Sequence, residues 1–62
     1  MERQLYIARN AVGLAEGWIE PEGEEDIIDA WQWLHDSGLG YQLQGLFGRT
    51  LRHLIEGGVI HG

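Results

Sequence analysis

Apolar residues near the start of the chain recur at the spacing of one helical face. Steps of three and four residues separate the main positions, which are Leu5, Ala8, Val12 and Ala15, with Ile7 and Ala11 widening the stripe. We therefore predict a first helix from about Glu2 to Glu16 that buries this stripe. Gly13 lowers the helix propensity of the segment, and Gly17 is a suitable residue for its C-terminal end.

A linker containing Pro21 and Gly23 separates this helix from a second one. We predict the second helix from about Glu24 to Ser37, with Trp18 and Ile19 folding back from the linker onto the core. Its apolar stripe consists of Ile27, Ala30, Trp31 and Leu34. Gly38 suits a left-handed cap after this helix, because the leucine that follows it can supply a hydrophobic contact.

A third apolar stripe follows this cap and predicts a helix from about Tyr41 to Glu56. Its positions are Leu43, Leu46, Phe47, Thr50, Leu51, Leu54 and Ile55. Gly57 and Gly58 end the helix, and Val59 and Ile60 are expected to pack back as a short tail. Three helices with short connections predict an all-α fold, a small three-helix bundle that forms one domain over residues 1–62.

Two glycines, Gly45 and Gly48, interrupt the third helix and together cost about 2 kcal/mol of helix propensity. One explanation is that another helix, or a second protomer, approaches closely at these positions. The other is a kink that separates residues 41–44 as a short helix of their own. The sequence leaves both explanations open.

The length of 62 residues and the absence of cysteine limit how this fold can be stabilised. So short a chain buries only about 60% of its unfolded surface, and disulfides and thiolate metal sites are excluded. We therefore expect tight helix packing together with a homo-oligomer. No apolar run approaches the roughly 20 residues of a membrane span, and residues 1–5 lack the apolar core of a signal peptide. These features favour a cytoplasmic protein.

Charge is distributed unevenly along the chain. The net charge of −6 comes from ten acidic residues and four arginines, without lysine. Seven acids fall between residues 16 and 29, namely Glu16, Glu20, Glu22, Glu24, Glu25, Asp26 and Asp29. They can stabilise the start of the second helix beside a solvated loop, or bind a basic protein surface. The six from Glu20 to Asp29 are our candidates for partner contacts, whereas nucleic acid is an unfavourable partner.

The aromatic and basic residues of the second half offer further candidates. Trp33 lies off the buried stripe, and we predict it as an anchor in an interface. Arg49 is expected to pair with Asp36 or the acidic loop and so stabilise the fold, because its planar guanidinium binds carboxylates bidentately. A carboxylate-binding clamp of Arg49 and Arg52 is the functional alternative.

No arrangement of residues predicts a catalytic or metal site. The spacings of His35, His53 and His61 match no recognised ligand pattern, so we expect no metal and no cofactor. The sequence contains no nucleophile–base signature, no phosphate-binding glycine loop and no paired-carboxylate motif. We therefore expect a protein that is not an enzyme.

Residues 49–60 look like the end of a winged-helix recognition helix, and residues 37–40 fit the turn of a helix-turn-helix. Only two residues follow Ile60, so we expect no wing, and the acidic charge is unfavourable for DNA. Nucleic-acid binding through Arg49, Arg52 and His53 is therefore the least favoured function.

Residues 30–58 contain three motifs with a more specific resemblance. These are Trp31, Gln32, Leu34, Asp36, Ser37, Gly38 and Leu39; then Leu43, Gln44, Gly45, Phe47, Gly48, Arg49 and Thr50; then Leu54, Ile55, Glu56 and Gly58. In this pattern the chain resembles a family of very small proteins of tailed bacteriophages to which no activity is assigned. Tyr41 and Leu46 depart from it, because tryptophan is expected at both positions.

The resemblance implies an accessory protein that works in the cytoplasm of a phage-infected bacterium. Within the motifs we expect helix-packing roles for Trp31, Asp36, Gly38, Gly45, Phe47, Gly48 and Arg49. The function we predict is binding of a protein partner, a host factor or a defence complex, as an inhibitor that imitates the phosphates of nucleic acid. The alternative is a structural module for oligomerisation or assembly.

Overall fold

A computed structural model describes residues 2–43 and 45–62 of the chain. Four helices lie within these ranges: α1 Glu2–Glu16, α2 Glu24–Ser37, α3 Leu39–Gln42 and α4 Gly45–Glu56. The described residues contain no strand, so the all-α prediction is confirmed. The first two helices begin and end where the apolar periodicity and the glycine stops predict.

One core lies between the helices. α1 packs along α2, α2 contacts α3, and α3 contacts α4. The buried apolar side chains are Ile7, Ala11, Leu14, Ala30, Leu34, Phe47, Leu51 and Ile60. Trp31 joins α2 to α4, because its ring packs against Phe47 with the centroids 5.4 Å apart and the planes tilted by 57°.

The buried face of α1 agrees only in part with the predicted one. Ile7 and Ala11, which widen the predicted stripe, face the core together with Leu14, whereas Leu5 is 57% exposed and Val12 is only partly buried. Both stripes have helical spacing, so periodicity alone does not distinguish them. The position of α2 beside α1 decides which one is buried.

The buried face of α2 agrees with the prediction in its second half. Ala30 and Leu34 are fully buried and Trp31 is half-buried, but Ile27 is 37% exposed. Asp26 is buried in the first turn, where Arg3 of α1 binds its carboxylate. The first turn of α2 therefore presents a carboxylate, rather than the predicted isoleucine, to α1.

Gly38 ends α2 as predicted, with φ of 79° and its N–H donating to the His35 carbonyl at 3.1 Å. The predicted helix of residues 41–56 is wrong as a single element, because α3 ends at Gln42 and Leu43 is extended. Gln44 lies outside the described residues. Of the two explanations for the glycines, a separate short helix agrees with the structure, although that helix begins two residues earlier, at Leu39.

Gly45 and Gly48 are not sites of close packing between helices of the same chain. Among the described residues, a methyl group on Gly45 would meet no atom within 4 Å, and one on Gly48 would lie 3.9 Å from Tyr41. Gly40 has that role instead, because a methyl group there would lie 2.5 Å from Leu51 Cδ1 and 3.3 Å from the Leu34 backbone oxygen. The missing side chain of Gly40 thus lets α3 pack tightly between α2 and α4.

The linker after α1 places its two apolar residues differently. Gly17 has φ of 84°, and the Trp18 N–H donates to the Gly13 carbonyl at 2.8 Å. Ile19 packs back as predicted, over Gly13, where a methyl group would lie 2.6 Å from its Cδ1. Trp18 was expected in the core but is 83% exposed, because this turn leaves its side chain in solvent while Ile19 occupies the space over α1.

The C-terminal tail is attached to α2 by Gln32. The His61 N–H donates to Gln32 Oε1 at 2.7 Å, and Gln32 Nε2 donates to the His61 carbonyl at 3.0 Å. Ile60 beside them is buried, as predicted, while Val59 is 46% exposed. This pair of hydrogen bonds holds the tail over the core beside Ile60. No feature of the sequence predicts it.

Candidate protein-binding surface

The acidic segment, residues 20–29, runs from the linker into α2. Four of its acidic side chains are exposed: Glu20, Glu22, Glu24 and Glu25. Within the described part of the chain, the ion pairs do not include any of these four. Glu24 and Glu25 lie in the first turn of α2, where the helix dipole favours negative charge. Both interpretations of these glutamates, helix stabilisation and partner contact, are therefore compatible with their positions.

Asp26 and Asp29 of the same segment bind Arg3 of α1. Arg3 Nη2 lies 2.9 Å from Asp26 Oδ1 and 2.8 Å from Asp29 Oδ2. The Glu22 N–H donates to Asp26 Oδ2 at 3.1 Å, and the Asp26 side chain is only 6% exposed. This corrects the prediction of Asp26 as an accessible partner contact, because its oxygens are occupied inside the fold. Asp29 remains half-exposed but has its charge offset by Arg3.

The surroundings of Asp26 stabilise its charged form. The N–H of Glu22 and the guanidinium of Arg3 hold the pKa of Asp26 below its usual value, and they outweigh the opposite effect of burial. Asp29 and Asp26 in turn raise the pKa of Arg3. Burial raises the pKa of Tyr6 on α1, and the nearby charges of Asp26 and Glu22 raise it further. The cluster therefore depends on an ionised Asp26.

Acid is expected to destabilise the fold through Asp26. Because its pKa is lower in the folded than in the unfolded chain, its contribution is fully present above the ordinary value of 3.8 and is lost as the pH falls through the lowered pKa. We expect urea midpoints at neutral pH and at about pH 3 to differ less in Asp26→Asn than in the wild type. Asp26→Asn should also start from a lower midpoint at neutral pH.

Glu25→Gln is the matched control, because it removes a neighbouring but exposed carboxylate. It should keep the wild-type difference between the two midpoints. An unchanged acid sensitivity in Asp26→Asn would contradict the role assigned to the buried carboxylate.

Arg49 does not have the fold-stabilising contacts predicted for it. Its side chain is exposed, and the ion pairs of the described residues are made by Arg3 and by Arg52, whose Nε lies 3.4 Å from Glu56 Oε1. Asp36 accepts a hydrogen bond from Gln32 Nε2 at 3.0 Å. The prediction that Arg49 pairs with Asp36 or the acidic loop is wrong, because Arg3 reaches the loop from α1.

Asp26 and Asp29 share a helix face at i,i+3 spacing, and that is the only sequence signal for their pairing with Arg3.

The aromatic residues differ in exposure from what their sequence positions predict. Trp33 is half-buried, packs against the core and borders a shallow cleft with Arg3 and Asp29. Trp18, in contrast, is exposed, with 83% of its surface accessible to solvent. A role of Trp33 in partner binding remains a prediction, while Trp18 was not among the site candidates.

Trp18 borders a cleft that we call the Trp18 groove, between the end of α1 and the start of α4. It has a volume of about 370 Å³ and is lined by Ala15, Glu16, Trp18, Trp31, Leu46, Phe47 and Thr50. Trp31 and Phe47 form its floor, because both belong to or pack on the core. Leu46 at its edge is 64% exposed. The groove thus offers two exposed apolar side chains above an aromatic floor.

The side chain of His35 makes a structural contact with Tyr41. His35 Nδ1 lies 2.6 Å from the Tyr41 hydroxyl, and the two rings meet edge to face at 5.6 Å. This contact joins α2 to α3. Across residues 2–43 and 45–62, no three side chains of histidine, aspartate or glutamate lie together in a way that could hold a metal ion.

In the part that the structure describes, no helix combines the length and the apolar character needed to cross a membrane. Comparisons with protein-family models, with curated protein sequences and with solved structures find no match for this chain.

Proposed function

We propose that this chain is a small protein-binding module whose acidic segment binds a basic surface of another protein. The observation that carries the proposal is the different use of carboxylates within one segment. Arg3 occupies Asp26 and Asp29, whereas the four glutamates of residues 20–25 are exposed. The two aspartates therefore stabilise the fold, and the four glutamates are exposed to solvent.

Electrostatics supports a basic protein as the partner. A surface with several exposed carboxylates attracts positive surfaces and accelerates their association. The net charge of −6 makes the phosphate backbone of nucleic acid a repelled ligand. We propose that Glu20, Glu22, Glu24 and Glu25 take the place of phosphates on a protein that normally binds nucleic acid. The resemblance to small phage proteins supports a host factor or defence complex as that partner, inhibited by this occupation.

Partner capture from bacterial lysate tests the proposal through its salt dependence. The tagged wild type should retain one or more basic proteins at about 0.1 M salt and lose them at about 1 M, because the Debye length falls from about 10 Å to about 3 Å. Glu20→Gln combined with Glu22→Gln should weaken capture at low salt several-fold. The Glu22 backbone N–H that binds Asp26 is unchanged in this variant.

Asp36→Asn combined with Glu56→Gln is the matched control. It removes the same number of charges from exposed positions outside the acidic segment, and should capture the same proteins as the wild type. Capture that resists about 1 M salt, or equal loss in both double variants, would contradict binding through the acidic segment.

A further inference from the structure

The Trp18 groove has an acidic residue on its α1 side and an arginine next to its α4 side. Glu16 lines the side formed by the end of α1. On the other side, Arg49 directly precedes Thr50 and follows Leu46 by three residues, so it borders the part of α4 that lines the groove. Glu16 and Arg49 are both exposed, and neither takes part in the ion pairs of the described residues.

This arrangement is complementary to itself. In a symmetric dimer the same patch of both copies meets, so that a residue on one side contacts the opposite side of the partner copy. Each copy offers a protruding indole at Trp18 and a cleft beside it. When the two-fold axis runs along the groove, the Glu16 side of one copy faces the Arg49 side of the other.

From this geometry we infer that the Trp18 groove is the interface of a homodimer, in which the Trp18 of each copy packs against Leu46 and the groove of its partner. Glu16 of one copy pairs with Arg49 of the other, twice in the dimer. A wholly basic partner fits this groove less well, because Arg49 would repel it from the α4 side. The inference does not rest on the proposed function, which uses the acidic segment.

Aromatic side chains in a central pocket carry much of the binding energy of small interfaces. In sedimentation from about 10 μM to about 1 mM protein, the wild type should pass from the monomer mass of 7.0 kDa to twice that mass. Trp18→Ala and Leu46→Ala should each raise the dissociation constant more than about tenfold. Leu5→Ala, which removes an exposed leucine outside the groove, should leave it unchanged.

Charge reversal tests the pairing between copies. Glu16→Arg alone places two arginines opposite each other across the interface, and Arg49→Glu alone places two glutamates there, so each variant should be monomeric. An equimolar mixture of the two should dimerise again, because both pairs then regain opposite charges. Attraction between the net charges of the two chains does not explain a recovered dimer, since each variant chain keeps a net negative charge.

Three results would overturn the inference. One is a wild type that stays at the monomer mass throughout the concentration range. The second is a dimer that Trp18→Ala and Leu46→Ala leave intact, which would place the interface elsewhere. The third is a mixture of the two charge variants that remains monomeric. Loss of partner capture in Glu20→Gln with Glu22→Gln, together with an intact dimer, would separate this interface from the acidic segment.

Discussion

Leu34→Ala is expected to lower the free energy of unfolding by about 2 to 5 kcal/mol, the range for truncation of a buried leucine. Leu34 is fully buried on α2 and packs in the cluster formed with α1 and α4. A domain of this length typically has about 3 to 9 kcal/mol of stability in total. The variant should therefore lose a large part of its stability, which urea unfolding followed by far-ultraviolet circular dichroism would measure.

Leu5→Ala is the control for this substitution. The sequence periodicity assigns Leu5 to the buried stripe, but it is 57% exposed, so its truncation should change the unfolding free energy by less than about 0.5 kcal/mol. Equal destabilisation of the two variants would contradict the orientation of α1 against α2 in the structure.

Two glycine substitutions are expected to act in opposite directions. Gly40→Ala introduces a methyl group 2.5 Å from Leu51 Cδ1 and 3.3 Å from Leu34 Cβ, and should destabilise the fold by about 1 to 3 kcal/mol, as overpacking does. Gly48→Ala adds a methyl group in ordinary contact with Tyr41. It should stabilise the fold by about 0.5 to 1 kcal/mol, because alanine is the better residue inside α4.

The same urea measurements compare both glycine variants with the wild type. A destabilised Gly48→Ala together with a neutral Gly40→Ala would reverse the assignment and would support close packing at Gly48. The comparison thus separates two interpretations of the glycines that their helix propensity alone does not distinguish.

The two proposed interactions, partner binding by the acidic segment and dimerisation through the Trp18 groove, use different residues. Arg3, Asp26 and Asp29 form contacts within the chain, and the exposed glutamates of the acidic segment remain for a partner. The Trp18 groove involves different residues, at the end of α1 and the start of α4. Each proposal can therefore fail without the other.

Local features of the sequence were enough to predict the limits of α1 and α2 and the all-α class. Apolar spacing defines where a helix can bury a face, and Gly17 and Gly38 adopt the left-handed backbone that ends each helix. The burial of Ala30, Leu34, Phe47 and Ile60 also agreed with their positions. These features depend on residues a few positions apart, and such information is present in any single sequence.

The tertiary structure alone decided which candidates face the core and which face solvent. Two sets of positions on α1 have helical spacing, and the contact with α2 buries Ile7, Ala11 and Leu14 while it leaves Leu5 exposed. Arg3 rather than Arg49 pairs with the acidic segment, because a contact between residues more than 20 positions apart depends on how whole helices are placed. By itself the sequence determined the first two helices, the glycines that end them and the net charge. The packing of the helices made Gly40 a close contact and exposed Trp18.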